Sequence, residues 1–265
     1  MSGPYIHRNN EPKYHALLLR AEEFAKQERL YRIWLAALDK PCNPREVAKD
    51  PKQLNKKLER FLQFHDQRAA GIPGLCPLFV GLRMRVTEKV MKTSQITILK
   101  HTPCYVVSWD LHPGDRVRRD EGERFLSYLP RMIIVRFENA QWQLEGLRPG
   151  EFPLFPVERT WVLSEETGVK IVRKGFTLLP DFASTAFMMQ GYTLDGAVAD
   201  CGSVLASGGL TEMMTTYVIL SRVKKADGLL LTQAFAREIF RLGVAPWATL
   251  FAQTPAPALL FGHVP

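Results

Sequence analysis

The sequence predicts an α/β fold in which a parallel, doubly wound sheet, with helices on both faces, carries a small β-barrel as an insert. After Pro180, helical stretches alternate with short, continuously apolar strands such as "AVADCG" and "GLLLT", the rhythm of a parallel sheet covered on both sides. Between Val80 and Val172 the chain consists of short β-rich runs separated by Gly, Pro or charged turns, the spacing of a small barrel. With 265 residues, 46% of them hydrophobic, the chain has material for one large domain or a domain carrying an insert.

The elements follow in order. Residues 13–30, "KYHALLLRAEEFAKQERL", place Leu17, Leu18, Ala21, Phe24 and Ala25 on one face at helical spacing. A strand at 31–38 and a polar loop to Gln53 precede a second helix, Leu54 to Ala70, with Leu54, Leu58, Phe61, Leu62 and His65 along its apolar side. "GIPGLCP" ends it. The β-rich runs are "ITIL", "CYVVSW", "RMIIVRF", "TWVL" and "VKIV". Then come a helix "FASTAFMM", a loop "QGYTLDG", the strand "AVADCG", a helix "LTEMMTTYVILSRV", the strand "GLLLT" and a helix "AFAREIFRLG". The expected divisions are 1–79, 80–172, 173–252 and a Pro-rich tail at 253–265.

Composition excludes several classes. No window approaches the roughly 18 uninterrupted apolar residues of a membrane span, and the N-terminus lacks a signal core, so no membrane partner is expected. Cys42, Cys76, Cys104 and Cys201 lack paired spacing and the histidines are scattered, so no metal site is expected, and a reduced intracellular compartment fits. A net charge of +8 suits a polyanionic partner, though ordinary soluble proteins carry such a balance too. The five tryptophans read as core or barrel packing, and the basic stretches "GLRMRVTEKVMK" and "DRVRRDEGER" as solvated segments able to follow a phosphate backbone.

In an open parallel sheet, ligands bind at loops beyond the carboxyl ends of the strands, which directs attention to "QGYTLDG" and "SRVKKADG". Arg222 follows a helix whose Leu210, Met213, Met214, Tyr217 and Leu220 are expected to bury one face, so its stem is held while its planar fork suits a phosphate. The same position equally suits a cation that satisfies the last helical carbonyls and the helix dipole.

"TAFMMQGYTLDGAVADCG" followed by "TYVILSRVKKADGLLL" resembles the last two motifs of superfamily-one DNA helicases of the RecD-like and petite-integration-frequency (Pif) type, including those of Helitron transposons. "IPGLCPLFVGLRMRVTEKV" looks like the lead into the SH3-like barrel inserted in their second RecA-like domain, and "PYIHRNNEPKYHALLLRAEEFA" is similar to the opening of that domain. The resemblance implies an ATP-dependent motor of which this chain is the C-terminal, RecA-like half. It implies that Arg222 is the arginine finger, that Gln190 and Gly191 lie by the nucleotide, and that Thr185 contacts a DNA phosphate, with Lys224 and Lys225 beside the same strand. Taken alone, Gln190-Gly191 also reads as a helix-ending turn, and Thr185 as a hydroxyl bonded back to its own helix.

The implied cofactor is ATP with Mg, shared with an N-terminal P-loop RecA-like domain, and the implied partner is single-stranded DNA or a duplex junction, with a nuclear setting. The chain contains no G-x-x-x-x-G-K-[ST] and no Gly-Lys pair, and "RRDEGERF" lacks the apolar strand that a magnesium-binding acidic motif requires. Where the family has His-Lys-Ser, this chain has Phe187, Met188 and Met189, with Phe187 expected to pack against the sheet. A non-catalytic interaction module built on the same fold is the alternative.

Overall fold

The computed structural model describes residues 3–48, 51–115, 123–201 and 209–235. Along the chain its elements are β1 (Tyr5–His7), α1 (Asn10–Gln27), β2 (Arg32–Ala36), β3 (Leu38–Pro41), α2 (Pro44–Val47), α3 (Pro51–Phe61), β4 (Leu75–Leu78) and β5 (Arg83–Val86). There follow β6 (Met91–Lys92), β7 (Thr97–Ile98), β8 (Pro103–Asp110), β9 (Glu123–Phe125), β10 (Met132–Phe137), β11 (Glu151–Leu154), β12 (Val157–Val162) and β13 (Lys170–Gly175). The last are β14 (Leu178–Pro180), β15 (Ala183–Thr185), β16 (Ala197–Ala199), α4 (Gly209–Leu220) and β17 (Leu229–Leu231). The chain divides into two units, one formed by Met1–Arg8 with Ala186–Pro265 and the other by Asn9–Thr185.

In the first unit, β1, β16 and β17 form a parallel ladder, with Tyr5 opposite Val198 and Ala197 opposite Leu229. β16, Ala197–Ala199, is the strand whose short apolar side chains suit a position with a parallel neighbour on either side. Ile6, Ala197, Ala199 and Cys201 are buried with Met189 and Ile219 in one core. The parallel sheet expected from the sequence is therefore present. The expected helix "AFAREIFRLG" lies largely outside the described residues, as do Trp247, the tail and residues 116–122.

The buried face of α4 differs from the expected one. Thr215, Thr216 and Ile219 are buried, whereas Met214 and Tyr217 are exposed. A helix that is apolar almost all round offers no periodicity from which to choose a face, and the small threonines admit a closer approach than methionine or tyrosine.

The second unit is mainly antiparallel. Five strands pair in the order β11-β10-β8-β5-β14, and Cys104, Val106, Ile133 and Val135 alternate inward to build its core. The expected β-rich runs fall on β7, β8, β10, β12 and β13. Two further ladders run β12-β13-β3 and β4-β2-β9. Residues 39–53, expected as loop, contain most of β3, the four-residue α2 and the start of α3. Asn43 caps α2, its side chain accepting from the Arg45 amide. The strand β3 escaped notice because its "LDKP" is polar, and it is fixed by pairing with β13.

α1 begins earlier than expected and buries Leu17, Ala21 and Ala25 of the expected face, extended by Lys13 and Tyr14, while Leu18 and Phe24 lie at its margin. Phe24 is partly exposed yet stacks on Phe79 at 6.0 Å between ring centres. Lys13 lies 3.6 Å from the Asp66 carboxylate. Burial holds its pKa below the usual lysine range, with Asp66 opposing that shift.

α3 stops at Phe61, well before the expected Ala70. The reason is Arg173. Its guanidinium meets Asp39 in a two-pronged contact, Nε to Oδ1 at 2.8 Å and Nη2 to Oδ2 at 2.7 Å. It also donates to the Phe61 carbonyl at 2.6 Å and the Ile72 carbonyl at 3.2 Å. The terminal carbonyl of α3 is thus shared between this side chain and the Phe64 amide at 3.0 Å, a tight turn that ends the α-helix. Trp161 closes the site, with Phe61 and Phe64 edge-on to its ring.

The segment "FASTAFMM" is not a helix. Ala183, Ser184 and Thr185 form the extended and fully buried β15, which lies against α1, and only Phe187–Met189 make a turn of 3-10 helix. Tertiary burial on both faces overrides a helical preference that alanine and methionine alone would suggest.

Candidate functional site

The site is built where the 3-10 turn and the end of α4 meet within the first unit. Met189 buries against Ile219 and anchors the turn, while Gly191 adopts φ +86, a left-handed conformation that lets the chain reverse at Gln190-Gly191. The backbone then returns to the end of α4. The Leu194 amide donates to the Arg222 carbonyl at 2.7 Å, the Lys224 amide donates to the Leu194 carbonyl at 3.0 Å, and Leu194 bridges Val223 in parallel. Gln190, Gly191, Arg222, Lys224 and Lys225 are brought together by this stitching, though they lie about thirty residues apart in sequence.

Arg222 is half-buried and its guanidinium is fully ordered by hydrogen bonds. Nε donates to the Val218 carbonyl at 2.9 Å, Nη1 to the Tyr192 carbonyl at 3.1 Å and the Met189 carbonyl at 3.4 Å, and Nη2 to Ser221 Oγ at 2.7 Å. The Met189 and Tyr192 carbonyls bracket Gln190-Gly191, so one cation ties the turn to the helix end. Every partner among the described residues is neutral. The charge is stabilised by the negative end of the α4 dipole and by carbonyl oxygens, and among the described residues no carboxylate pairs with it. Such an arrangement orients a full positive charge that an anion can compete for.

Phe187 corrects an expectation. It is 59% exposed, whereas Met189, two residues on, is 3% exposed. A three-residue turn has room to bury one of its large side chains, and Met189 takes that place.

Lys224 pairs with Asp195 at 2.6 Å on the exposed surface, and Lys225 is exposed beside it. With Asp227 and Gly228 these residues line a shallow cleft of about 380 Å³. Two lysines facing two aspartates leave the cleft close to charge balance, which suits a weak backbone contact better than a polyphosphate. Thr185, the last residue of β15, is buried in the second unit. Among the described residues no group of three His, Cys, Asp or Glu side chains could hold a metal ion, and no helix is long and apolar enough to cross a membrane.

Neither a protein-family model nor a curated protein sequence matches the chain. Solved structures match by fold. A Pif1 helicase from Candida albicans is 16% identical, with a TM-score of 0.51 over 94% of this chain and 50% of that one. Bacteroides Pif1 in complex with ADP-AlF3 and ssDNA is 16% identical with a TM-score of 0.48, covering 94% of this chain and 44% of that one. Bacteroides Pif1 bound to ssDNA is 14% identical with a TM-score of 0.47 and the same coverage. The chain shares the fold of part of the Candida albicans Pif1 helicase. It spans about half the length of the Pif1 helicases it matches.

Sequence reasoning missed one cluster in this fold. At the carboxyl ends of the parallel strands, His7 Nε2 lies 3.5 Å from Asp200 Oδ2, and Gln233 Nε2 donates to Asp200 Oδ1 at 2.8 Å. The signal was available, since each of the three polar residues lies at or just beyond the end of an apolar strand. Cys201, next to Asp200, is no nucleophile. Burial, reinforced by Asp200, pushes its thiol up to about 11.

Proposed function

We propose that this chain is the C-terminal motor half of a RecD-like or Pif-type ATP-dependent DNA helicase, a second RecA-like domain carrying an SH3-like insert over about 80–172. In this reading Arg222 is the arginine finger and reaches the γ-phosphate of ATP bound, with Mg, on an N-terminal P-loop RecA-like domain. Gln190 and Gly191 form the turn beside that nucleotide, and Lys224 and Lys225 follow the backbone of single-stranded DNA at a duplex junction. The setting is intracellular and nuclear, in a mobile-element helicase.

The observation that carries the reading is the neutral cradle of Arg222: a preorientated guanidinium, tied to the Gln-Gly turn, whose partners among the described residues are all uncharged. Phosphoryl transfer depends on positioned charge more than on covalent chemistry, and a finger must be oriented without being neutralised. The sequence motifs and the shared fold support it.

A second reading has its own observation. Arg222 Nε caps the carbonyl of Val218 in its own helix, which is what a purely structural cation does. On that reading the chain is a non-catalytic interaction module. ATP hydrolysis measured on the purified chain, alone and mixed with the P-loop half, separates the two. The motor predicts turnover only in the mixture, whereas turnover by the chain alone, or none in either, contradicts it.

A further inference from the structure

A second surface, distant in sequence from the motor motifs, displays aromatic rings in an organised way. Phe125 is 58% exposed and stacks on Trp34, ring centres 5.9 Å apart and planes within 15°. Tyr128 is 50% exposed and stacks on His112 at 4.4 Å and 26°. Each exposed ring is thus backed by another ring. A single exposed aromatic needs no explanation, but two that are braced three residues apart do.

The bracing is built into the backbone. In the β2–β9 ladder Trp34 stands opposite Phe125, and the Leu126 amide donates to the Trp34 carbonyl at 3.1 Å. The Asp115 carboxylate is buried and accepts from the Ser127 amide at 3.2 Å and the Tyr128 amide at 2.7 Å, with Arg124 Nη2 at 3.4 Å. Gly114 completes the fit. A Cβ there would meet the Tyr128 ring at 2.8 Å, so only glycine lets Tyr128 lie over His112. A buried carboxylate is costly to desolvate, and here it fixes the two residues that carry Tyr128.

The chemistry of this edge selects a partner. Leu126 between the aromatics is buried, so the exposed surface presents ring faces, Ser127 and the Arg131–Asp110 ion pair instead of the continuous aliphatic patch that a protein helix would require. Flat ring faces beside Arg131, whose pair with Asp110 is solvent-exposed and can be exchanged for a phosphate at small cost, complement unpaired bases on a phosphate backbone in a chain of net charge +8. We propose that Phe125 and Tyr128 form a base-stacking platform for single-stranded nucleic acid, with Asp115 and Gly114 as its positioning residues. This rests on the reading that the chain binds DNA, and adds a site outside the motor motifs.

Fluorescence anisotropy of the 265-residue chain at low salt, on a labelled oligothymidine and on an abasic oligonucleotide of equal length, tests it. Phe125→Ala and Tyr128→Ala should each weaken oligothymidine binding by about tenfold with an unchanged salt slope, while Phe125→Trp and Tyr128→Phe retain it. The unaltered chain should bind the abasic probe about as weakly as the double alanine variant binds oligothymidine. Equal affinity of the alanine variants and the unaltered chain, or of the two probes, overturns the platform and leaves the motor reading standing. Absence of any binding by the unaltered chain overturns both. Sedimentation on the same variants is a further check: self-association abolished by Phe125→Ala, with DNA binding unchanged, assigns the surface to a second copy of the chain and overturns the proposal.

Discussion

Two arginines in this chain are held by different chemistry. Arg173 is wholly buried and meets Asp39 in a two-pronged ion pair, with two carbonyls filling its remaining contacts. Arg222 is half-buried and, among the described residues, bonds to carbonyls and a hydroxyl. Both side chains are immobilised, but only one is neutralised. A carboxylate partner makes an arginine structural, because breaking a buried pair strands an uncompensated charge. Neutral partners can be exchanged for an anion at small cost, so the second arrangement keeps a cation both oriented and available. The second unit uses its arginine to hold together, and in the first unit the described partners of Arg222 leave its charge without a carboxylate.

The largest effect should come from Arg173→Met. Losing the fork leaves the Asp39 charge buried and uncompensated, which costs about 4 kcal/mol, or a fall of roughly 10 °C in melting temperature by calorimetry. Pairing it with Asp39→Leu should recover much of that loss, since no buried charge is left uncompensated, while the Phe61 and Ile72 carbonyls still lose a donor. If the single substitution is tolerated as well as Arg222→Ala, the contrast between the two sites is broken.

Next is the apolar triplet beside the Gln-Gly turn. Met189→Ser should destabilise the chain by about 2–4 kcal/mol because it empties a core position, whereas Phe187→His should stay within about 0.5 kcal/mol. Chemical denaturation of the two variants checks the order. Phe187→His with Met188→Lys, leaving Met189 in place, then tests whether the turn faces DNA: in a protein carrying both motor halves it should raise DNA-stimulated hydrolysis with little change in hydrolysis without DNA.

Arg222→Ala in the chain alone should cost only about 1 kcal/mol, the value of carbonyl bonds and dipole at a helix end. Lys224→Ala should shift stability by less than about 0.5 kcal/mol, because its pair with Asp195 is solvent-exposed. A larger loss at Lys224 in the same denaturation series would reveal a structural role that the exposed pair does not suggest.

The sequence made the parallel sheet and the Arg222 segment legible for one reason: short apolar strands flanked by turn residues leave a clear pattern. Faces and partners left less. α4 is apolar on all sides, so its periodicity could not reveal that Thr215, Thr216 and Ile219 turn inward. β3 is too polar to read as a strand, and depends on β13. Arg173 sits two residues beyond Ile171 on the inward face of β13, a place where alternation demands an apolar residue, and only Asp39, 134 positions earlier, makes it tolerable there. The tie between Arg222 and the Met189 and Tyr192 carbonyls likewise joins segments about thirty residues apart. Motif spacing suggested each end of that tie but not the bond between them.

The most direct test of Arg222 as an available cation is steady-state ATP hydrolysis by a protein carrying both motor halves, with Arg222→Lys compared against the unaltered protein. Lysine keeps the charge but loses the planar fork, so turnover should fall roughly a hundredfold or more while nucleotide affinity and melting temperature stay nearly constant. Unchanged turnover, or a loss of turnover accompanied by unfolding, would contradict the account and leave Arg222 as a helix cap.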